Sequence, residues 1–397
     1  MDRRSFTKFD SVIEINPASI PKNYPYDEVE YIDISSVGTG SFSGSTRMPL
    51  SEAPSRAKRL VEHGDTILAT VRPNLRSFLF VKNPSKNLVV STGFAVLHPT
   101  GKIDARFLYY TVTNQRFTDY LSANVKGAAY PAVDTETFAR AEIWLPDLPI
   151  QKKIAAILSA YDDLIENNTR RIKILEEMAQ SIYREWFVNF RFPGHEKVKM
   201  VDSPMGKKPL GWEAAEFRNL FEIKYGKTLP KSEIAARGPY PVYGAGDVIG
   251  YYDKLLCPKK CALVTSRGNG SGTVWRTRKA AFVTNNSLII LPQGKFGHWD
   301  YSFVELLLKH SNVMGAKTGS AQPQMTIENL NYVKAIVPPR EIVEKFCVFA
   351  TPIYEQVDLL FGKNTNLRQT RDLLLPKLIS GELDVSELDI KTEEIGK

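Results

Sequence analysis

Two stretches of the chain carry apolar residues alternately four and three positions apart. The first stripe runs through Ile154, Leu158, Tyr161, Ile165, Asn168, Ile172, Leu175, Ala179, Ile182 and Trp186. The second runs through Phe346, Ala350, Ile353, Val357, Leu360, Asn364, Leu367, Arg371, Leu374 and Leu378. Spacing of this kind, sustained over several heptads, predicts a coiled-coil seam in each stretch. Every position of the second stripe lies 192 residues after its counterpart in the first, so the helices share one register. Pro376 should end or kink the second helix.

Ahead of each helix the pattern shortens to period two. Apolar runs at 66–71, 78–81 and 94–98 are separated by turn residues such as Arg72-Pro73-Asn74, which predicts strands. A helix is expected over 104–121, then a small-residue loop (Lys126-Gly127-Ala128-Ala129-Tyr130-Pro131), then a strand at 143–145 closed by Pro146. The plan returns further on. Residues 262–266 match 66–70, an offset of 196, while Thr70 and Arg72 recur as Thr265 and Arg267 at an offset of 195. Residues 287–291 match 94–98, a helix is expected over 302–314, and a strand over 333–337. Gly127, Ala129, Pro131, Glu136 and Pro146 recur as Gly319, Ala321, Pro323, Glu328 and Pro338. The expected architecture is α+β: two repeated domains joined by two long antiparallel coiled-coil helices, with a pseudo-two-fold axis. The boundaries are 1–148 and 193–338 for the domains, 149–192 and 339–383 for the helices, and 384–397 for an acidic C-terminal tail.

Residues 154–186 would span roughly 50 Å at ~1.5 Å per residue. If the second helix buries its seam by running back along the first, the midpoints place Asn168 opposite Asn364 and Tyr161 opposite Arg371. A polar pair at the centre of an apolar seam fixes register. The expectation is that Asn168 and Asn364 share a layer and lock the distance between the domains.

Charge adds a partner class. With 52 Lys and Arg against 44 Asp and Glu, the net charge of +8 favours a polyanion such as nucleic acid. Three cysteines build no disulfide framework. Cys257 and Cys261 lack a second ligand pair, so no metal is expected. The opening MDRRSFTKFD has no apolar signal region, and no apolar run approaches membrane-span length. The expected location is the reducing cytoplasm.

A duplex is itself pseudo-two-fold and is read by symmetric proteins as two half-sites. The first domain offers Thr70, Arg72, Asn74 and Arg76 at a strand end, Ser91 and Thr92, and the loop residues Lys126, Gly127 and Tyr130. The second offers Thr265, Ser266, Arg267, Asn269, Asn285, Asn286, Lys317, Gly319, Gln322 and Gln324. Arginine bonds guanine, and asparagine or glutamine bonds adenine, each with two hydrogen bonds in the major groove, while hydroxyls and backbone N–H groups hold phosphates. Matched positions should build the scaffold. Unmatched ones, Tyr130 and Ala132 against Gln322 and Gln324, should read different bases. The glycine-rich run 266–272 lacks the ending of a nucleotide-binding loop, and no methyl-transfer, serine-hydrolase or zinc-protease motif occurs. No catalytic residue is assigned. The alternatives are an architectural adaptor that bridges DNA or proteins without reading sequence, and an enzyme with an unrecognised site.

Several stretches resemble the DNA specificity (S) subunits of type I restriction-modification systems. They are Trp144-Leu145-Pro146 followed by Gln151-Lys152-Lys153-Ile154; Tyr183-Arg184-Glu185-Trp186-Phe187; Gly211-Trp212-Glu213; and Leu375-Pro376-Lys377-Leu378-Ile379-Ser380-Gly381-Glu382-Leu383. The likeness spans nearly the whole chain. It implies two target-recognition domains, each reading one half of a split double-stranded DNA site, and helices that set the gap and dock two methyltransferase (M) subunits. Restriction (R) subunits would join the same complex. S-adenosylmethionine, ATP and Mg would belong to those partners and no cofactor to this chain, which would be non-catalytic. Two departures stand out. The second helix lacks the Gln-Lys-Lys-Ile opening, and the first domain lacks a Gly-Trp-Glu start.

Overall fold

The computed structural model describes residues 6–127, 131–319 and 323–392. The chain divides into two compact units, residues 1–167 with 364–397 and residues 168–363. The first series of elements is β1 (Phe6–Lys8), β2 (Ile13–Ile15), β3 (Glu28–Ile32), β4 (Thr46–Pro49), β5 (Ala57–Leu60), β6 (Thr66–Ala69), β7 (Phe78–Phe80), β8 (Leu88–Ser91), β9 (Phe94–Pro99), α1 (Ala105–Thr113), α2 (Gln115–Ala123), α3 (Thr135–Arg140), β10 (Glu142–Trp144) and α4 (Leu148–Tyr183). The second is β11 (Met200–Val201), β12 (Lys208–Pro209), β13 (Glu213–Glu216), α5 (Phe217–Leu220), β14 (Phe221–Tyr225), β15 (Tyr240–Tyr243), β16 (Val248–Tyr252), β17 (Ala262–Thr265), β18 (Val274–Arg276), β19 (Phe282–Val283), β20 (Ser287–Pro292), α6 (Tyr301–His310), α7 (Ile327–Asn331), β21 (Lys334–Val337) and α8 (Arg340–Ile379).

In the first unit a four-stranded sheet, β2-β9-β6-β7, is buried on both faces. Alternation along β6 and β9 sends Leu68, Ala95 and Leu97 to one side, against Phe9, Phe107, Phe138, Leu158 and Leu378. Ile67, Ala69, Phe94 and Val96 go to the other side, against Ile32 and Val90 of the neighbouring sheet β4-β3-β8-β5. The α4 and α8 segments of this unit run antiparallel: Asp162 pairs with Arg371, and the Asn364 Nδ2 donates to the Ile165 carbonyl at 3.3 Å.

The second unit repeats the sheet as β14-β20-β17-β18. Ala262, Val264, Leu288 and Ile290 face a core of Phe187, Trp212, Phe303 and Phe346, while Leu263 and Ile289 face Tyr243 and Val283. Its own segments of α4 and α8 are antiparallel as well, with Tyr183 edge-on to Phe346 at 5.8 Å and Ile172 packed on Val357 and Leu360. Arg276 crosses from β18 to two helices, 2.9 Å from Glu305 of α6 and 2.8 Å from Asp358 of α8.

These registers bear out the match of 262–266 with 66–70 and correct that of Thr70 and Arg72 with Thr265 and Arg267. Ile67 pairs with Val96, and Leu263 with Ile289. β6 therefore matches β17 at an offset of 196, not 195. The earlier offset would place Leu68, a core-facing residue, on Leu263, which faces the opposite side; a one-residue slip exchanges the two faces of a strand. The counterpart of Arg72 is accordingly Gly268, and that of Arg267 is Val71. The repeat also starts earlier than the sequence pattern indicates. Phe6 pairs with Trp144 as Ala214 pairs with Ile336, and the Phe9 and Phe217 N–H groups donate to the carbonyls of Ala141 and Val333, each at 2.8 Å.

Two helix expectations also change. The helix expected over 104–121 is two, α1 and α2, because Asn114 is extended and its side chain accepts from the Arg116 N–H to cap the second. Pro376 does not end α8, which continues to Ile379. The stop lies at Gly381, left-handed at φ 69°. A Cβ there would lie 2.8 Å from the Trp144 ring, so a side chain is excluded on both counts.

His310, at the end of α6, stacks on Tyr183 at 4.9 Å. Burial, with Arg184 and Lys309 nearby, holds its imidazole below the ordinary 6.5. The unfolded chain thus binds a proton first as pH falls. The stabilisation is complete above about pH 6.5 and declines through the window beneath it. Thermal unfolding should show the second unit losing stability as pH falls below about 6.5. His310→Gln should flatten that slope, and an unchanged slope would assign it to other groups.

Candidate nucleic-acid interface

In each unit two segments meet to form one loop cluster. After β6, Val71 pairs antiparallel with Ala132, which also pairs with Lys126. After β17, Arg267 pairs with Gln324, which also pairs with Thr318. The supporting backbone bonds coincide. The Val133 N–H donates to the Thr70 carbonyl at 2.9 Å, and the Met325 N–H to the Ser266 carbonyl at 2.8 Å. Gly127 and Gly319 are left-handed at φ 86° and 83°, so this matched pair answers a backbone requirement. Tyr130 and Gln322, with Ala129 and Ala321, lie outside the described residues.

On this shared frame the side chains differ. Directly paired residues of an antiparallel bridge project to the same side. In the second unit the pair is Arg267 and Gln324, both exposed, which together present a guanidinium and a carboxamide. In the first unit the same two places hold Val71 and Ala132. There the polar groups come one step later, from exposed Arg72 and Asn74 in the turn 72–76. Arg72 and Arg76 bracket this turn in left-handed conformations, φ 49° and 56°. Such a conformation costs a non-glycine residue roughly 1–2 kcal/mol. The corresponding turn in the second unit has Gly268 and Gly272, φ 82° and 87°, at those places.

Other sequence candidates are committed to the scaffold. The Arg76 guanidinium turns inward, donating to the Thr113 carbonyl at 2.8 Å and to Gln115 Oε1 at 3.0 Å. Thr70 Oγ1 donates to the Gly93 carbonyl at 2.9 Å, and buried Ser91 Oγ accepts from the Gly93 N–H at 3.2 Å. Buried Thr265 and Ser266 donate to the carbonyls of Ala245 at 2.8 Å and Asn285 at 3.2 Å. Asn285, Asn286 and Lys317 are half-buried, while Thr92 and Asn269 are exposed. The exposed Lys126 ammonium bonds Asp134; that bond, with those from Thr137, holds the Asp134 carboxyl well below the usual carboxylate range. Asn168 and Asn364 are both buried, and Asn364 Nδ2 donates to the Ile165 carbonyl at 3.3 Å. The pairing of Arg267 with Gln324 had no signal in the sequence, because nothing periodic links a strand end to a loop so far along the chain.

Among the described residues no group of three or more His, Cys, Asp or Glu is placed to hold a metal, and no helix is long and apolar enough to cross a membrane. Cys257 and Cys261 are buried in the core beside Tyr243 and Leu263.

Fold and loop cluster together define a class: duplicated α+β modules that display variable side chains on a constant frame, each anchored to long helices. The chain belongs to the type I restriction modification DNA specificity domain family, whose model matches residues 6–177 and 209–369. It is similar to the type I restriction enzyme MjaIX specificity subunit of Methanocaldococcus jannaschii, 27% identical over 81% of this chain and 78% of that one. The HindI specificity subunit of Haemophilus influenzae is 24% identical over 90% of this chain and 95% of its own. Among solved structures, the S subunit of a type I restriction-modification system from M. genitalium matches with a TM-score of 0.59 at 17% identity, covering 96% of this chain and 97% of that one.

Proposed function

We propose that this chain is the DNA-reading subunit of a type I restriction-modification complex, and that it recognises a bipartite site, one half through each loop cluster. The observation that carries the reading is the exchange of Arg267 and Gln324 for Val71 and Ala132 at equivalent bridge positions. A constant backbone with variable polar side chains is what two readers of different words require, since base edges are distinguished by bidentate donors and acceptors. The excess of positive charge supplies sequence-independent attraction to the phosphates. Residues 1–148 and 193–338 act as target-recognition domains. Residues 149–192 and 339–383 act as an antiparallel spacer that docks two methyltransferase subunits, with restriction subunits completing the assembly. Asn168 and Asn364 set the register of that spacer. The chain itself is non-catalytic and cytoplasmic, and S-adenosylmethionine, ATP and Mg are handled by its partners.

Methylation mapping in a host that expresses this chain with its methyltransferase partner tests the reading. A split word with an indifferent centre is the expected result. A contiguous word, or sequence-independent protection in footprinting, would return the chain to an architectural role. Arg267→Ala should weaken or relax one half-site by about 1–3 kcal/mol and leave the other unchanged. An equal loss on every sequence would make Arg267 a phosphate contact.

A further inference from the structure

The turn 72–76 carries one residue that the scaffold does not call for. Leu75 is 60% exposed, between the exposed Asn74 and the inward-turned Arg76. The turn is not loose. The Leu75 N–H donates to the Arg72 carbonyl at 2.9 Å, and Thr39 Oγ1 donates to the carbonyls of Leu75 and Arg76 at 3.3 and 3.0 Å. Arg76 is tied to the junction of α1 and α2 through Thr113 and Gln115. In the second unit the equivalent turn shares one bond, the Ser271 N–H donating to the Gly268 carbonyl at 2.9 Å, and closes differently, with the Gly272 N–H donating to the Thr265 carbonyl where the Arg76 N–H donates to the Pro73 carbonyl. There the place of Leu75 is taken by Ser271, fully buried and donating to the Ser266 carbonyl at 3.2 Å. The same place in the repeat is thus filled by a small buried residue in one unit and by a large exposed one in the other. The first unit instead turns an isobutyl group outward from a fixed loop, beside the guanidinium of Arg72 and the carboxamide of Asn74.

We propose that Leu75 is a specificity-determining residue that packs on the 5-methyl group of a thymine in the half-site read by the first unit. The proposal rests on the DNA-reading function above. In the major groove the thymine methyl is the apolar feature of an otherwise polar set of base edges, and an apolar side chain is its complement. Rigid presentation avoids an ordering cost on binding. A wedge inserted between base steps would also use an exposed leucine, but it acts by unstacking and has no preference for the methyl group.

The test uses the chain assembled with its methyltransferase partner and a duplex carrying the methylation-mapped site. Each thymine of the first half-site is replaced in turn by deoxyuridine, which removes the methyl group and keeps the hydrogen-bonding edge. The native complex should lose about three- to fivefold in affinity at one position, the worth of one buried methyl group. Leu75→Ala should bind thymine and uracil there equally well, Leu75→Met should retain a preference, and thymines of the second half-site should not respond to either variant. Unchanged second-half recognition confirms that the variants fold. If Leu75→Ala responds to deoxyuridine as the native chain does, or weakens binding without altering the thymine–uracil difference, the proposal fails. A methylome without a split word would instead remove the reading on which it rests.

Discussion

Replacing Arg276 with alanine is expected to destabilise the second unit by about 3–5 kcal/mol, the usual effect of stranding a buried charge. The guanidinium is 4% exposed and bridges Glu305 and Asp358, which are 6% and 11% exposed. It also lies over the Tyr354 ring at 4.6 Å, so alanine removes packing as well as charge. Asp358 would keep Lys260 at 2.6 Å, and Glu305 would keep Lys309 at 2.7 Å. Both lysines are more accessible to water than Arg276 and compensate only in part. Adding Glu305→Leu to Arg276→Met removes a stranded carboxylate and should recover much of the loss. A chain of two units need not unfold in one step, so the measurement is hydrogen exchange resolved by unit, beside urea unfolding. A loss below about 1 kcal/mol would place the pair in the range of solvated surface ion pairs.

The second large effect concerns the spacer. Seven residues inserted between Asn168 and Thr169, and seven more between Lys363 and Asn364, should change the tolerated gap between half-sites while both words stay the same. Seven residues preserve a coiled-coil seam and add ~10 Å of rod. That length equals about three base pairs of rise, but three base pairs also turn the duplex by roughly 100°. The preferred gap should therefore lengthen by about one to three base pairs, the compromise between reach and facing, and the original gap should be methylated poorly. Methylation mapping reads both outcomes. An unchanged gap removes the spacer role, and a changed word would mean that the helices shape the readers themselves.

Much of this was legible in the sequence where one physical requirement dominates. A seam must be apolar every three or four residues, and the left-handed backbone at Gly127 and Gly319 favours glycine there. What escaped was information held in pairing. The Thr-x-Arg likeness of Thr70 and Arg72 to Thr265 and Arg267 pointed to the wrong offset, because residue identity is a weaker constraint than the face a strand residue must occupy. α1 and α2 read as one helix because both bury apolar residues in the same core, and only the side-chain cap from Asn114 separates them. Arg276, Glu305 and Asp358 sit on a strand and two helices with no periodic relation, so their association appears only once the fold brings them together.

The first unit is assembled from two stretches far apart in sequence, residues 1–167 and 364–397, whereas the second is one continuous stretch. Leu378, Ile379 and Val385 are buried in the first unit's interior beside Phe107 and Leu158. As the chain leaves the ribosome, the module begun first therefore waits for residues 364–397 to be synthesised, and the module made second can close before it. A stop codon shortly after residue 363 would spare the later-made module and leave the earlier one with an open core.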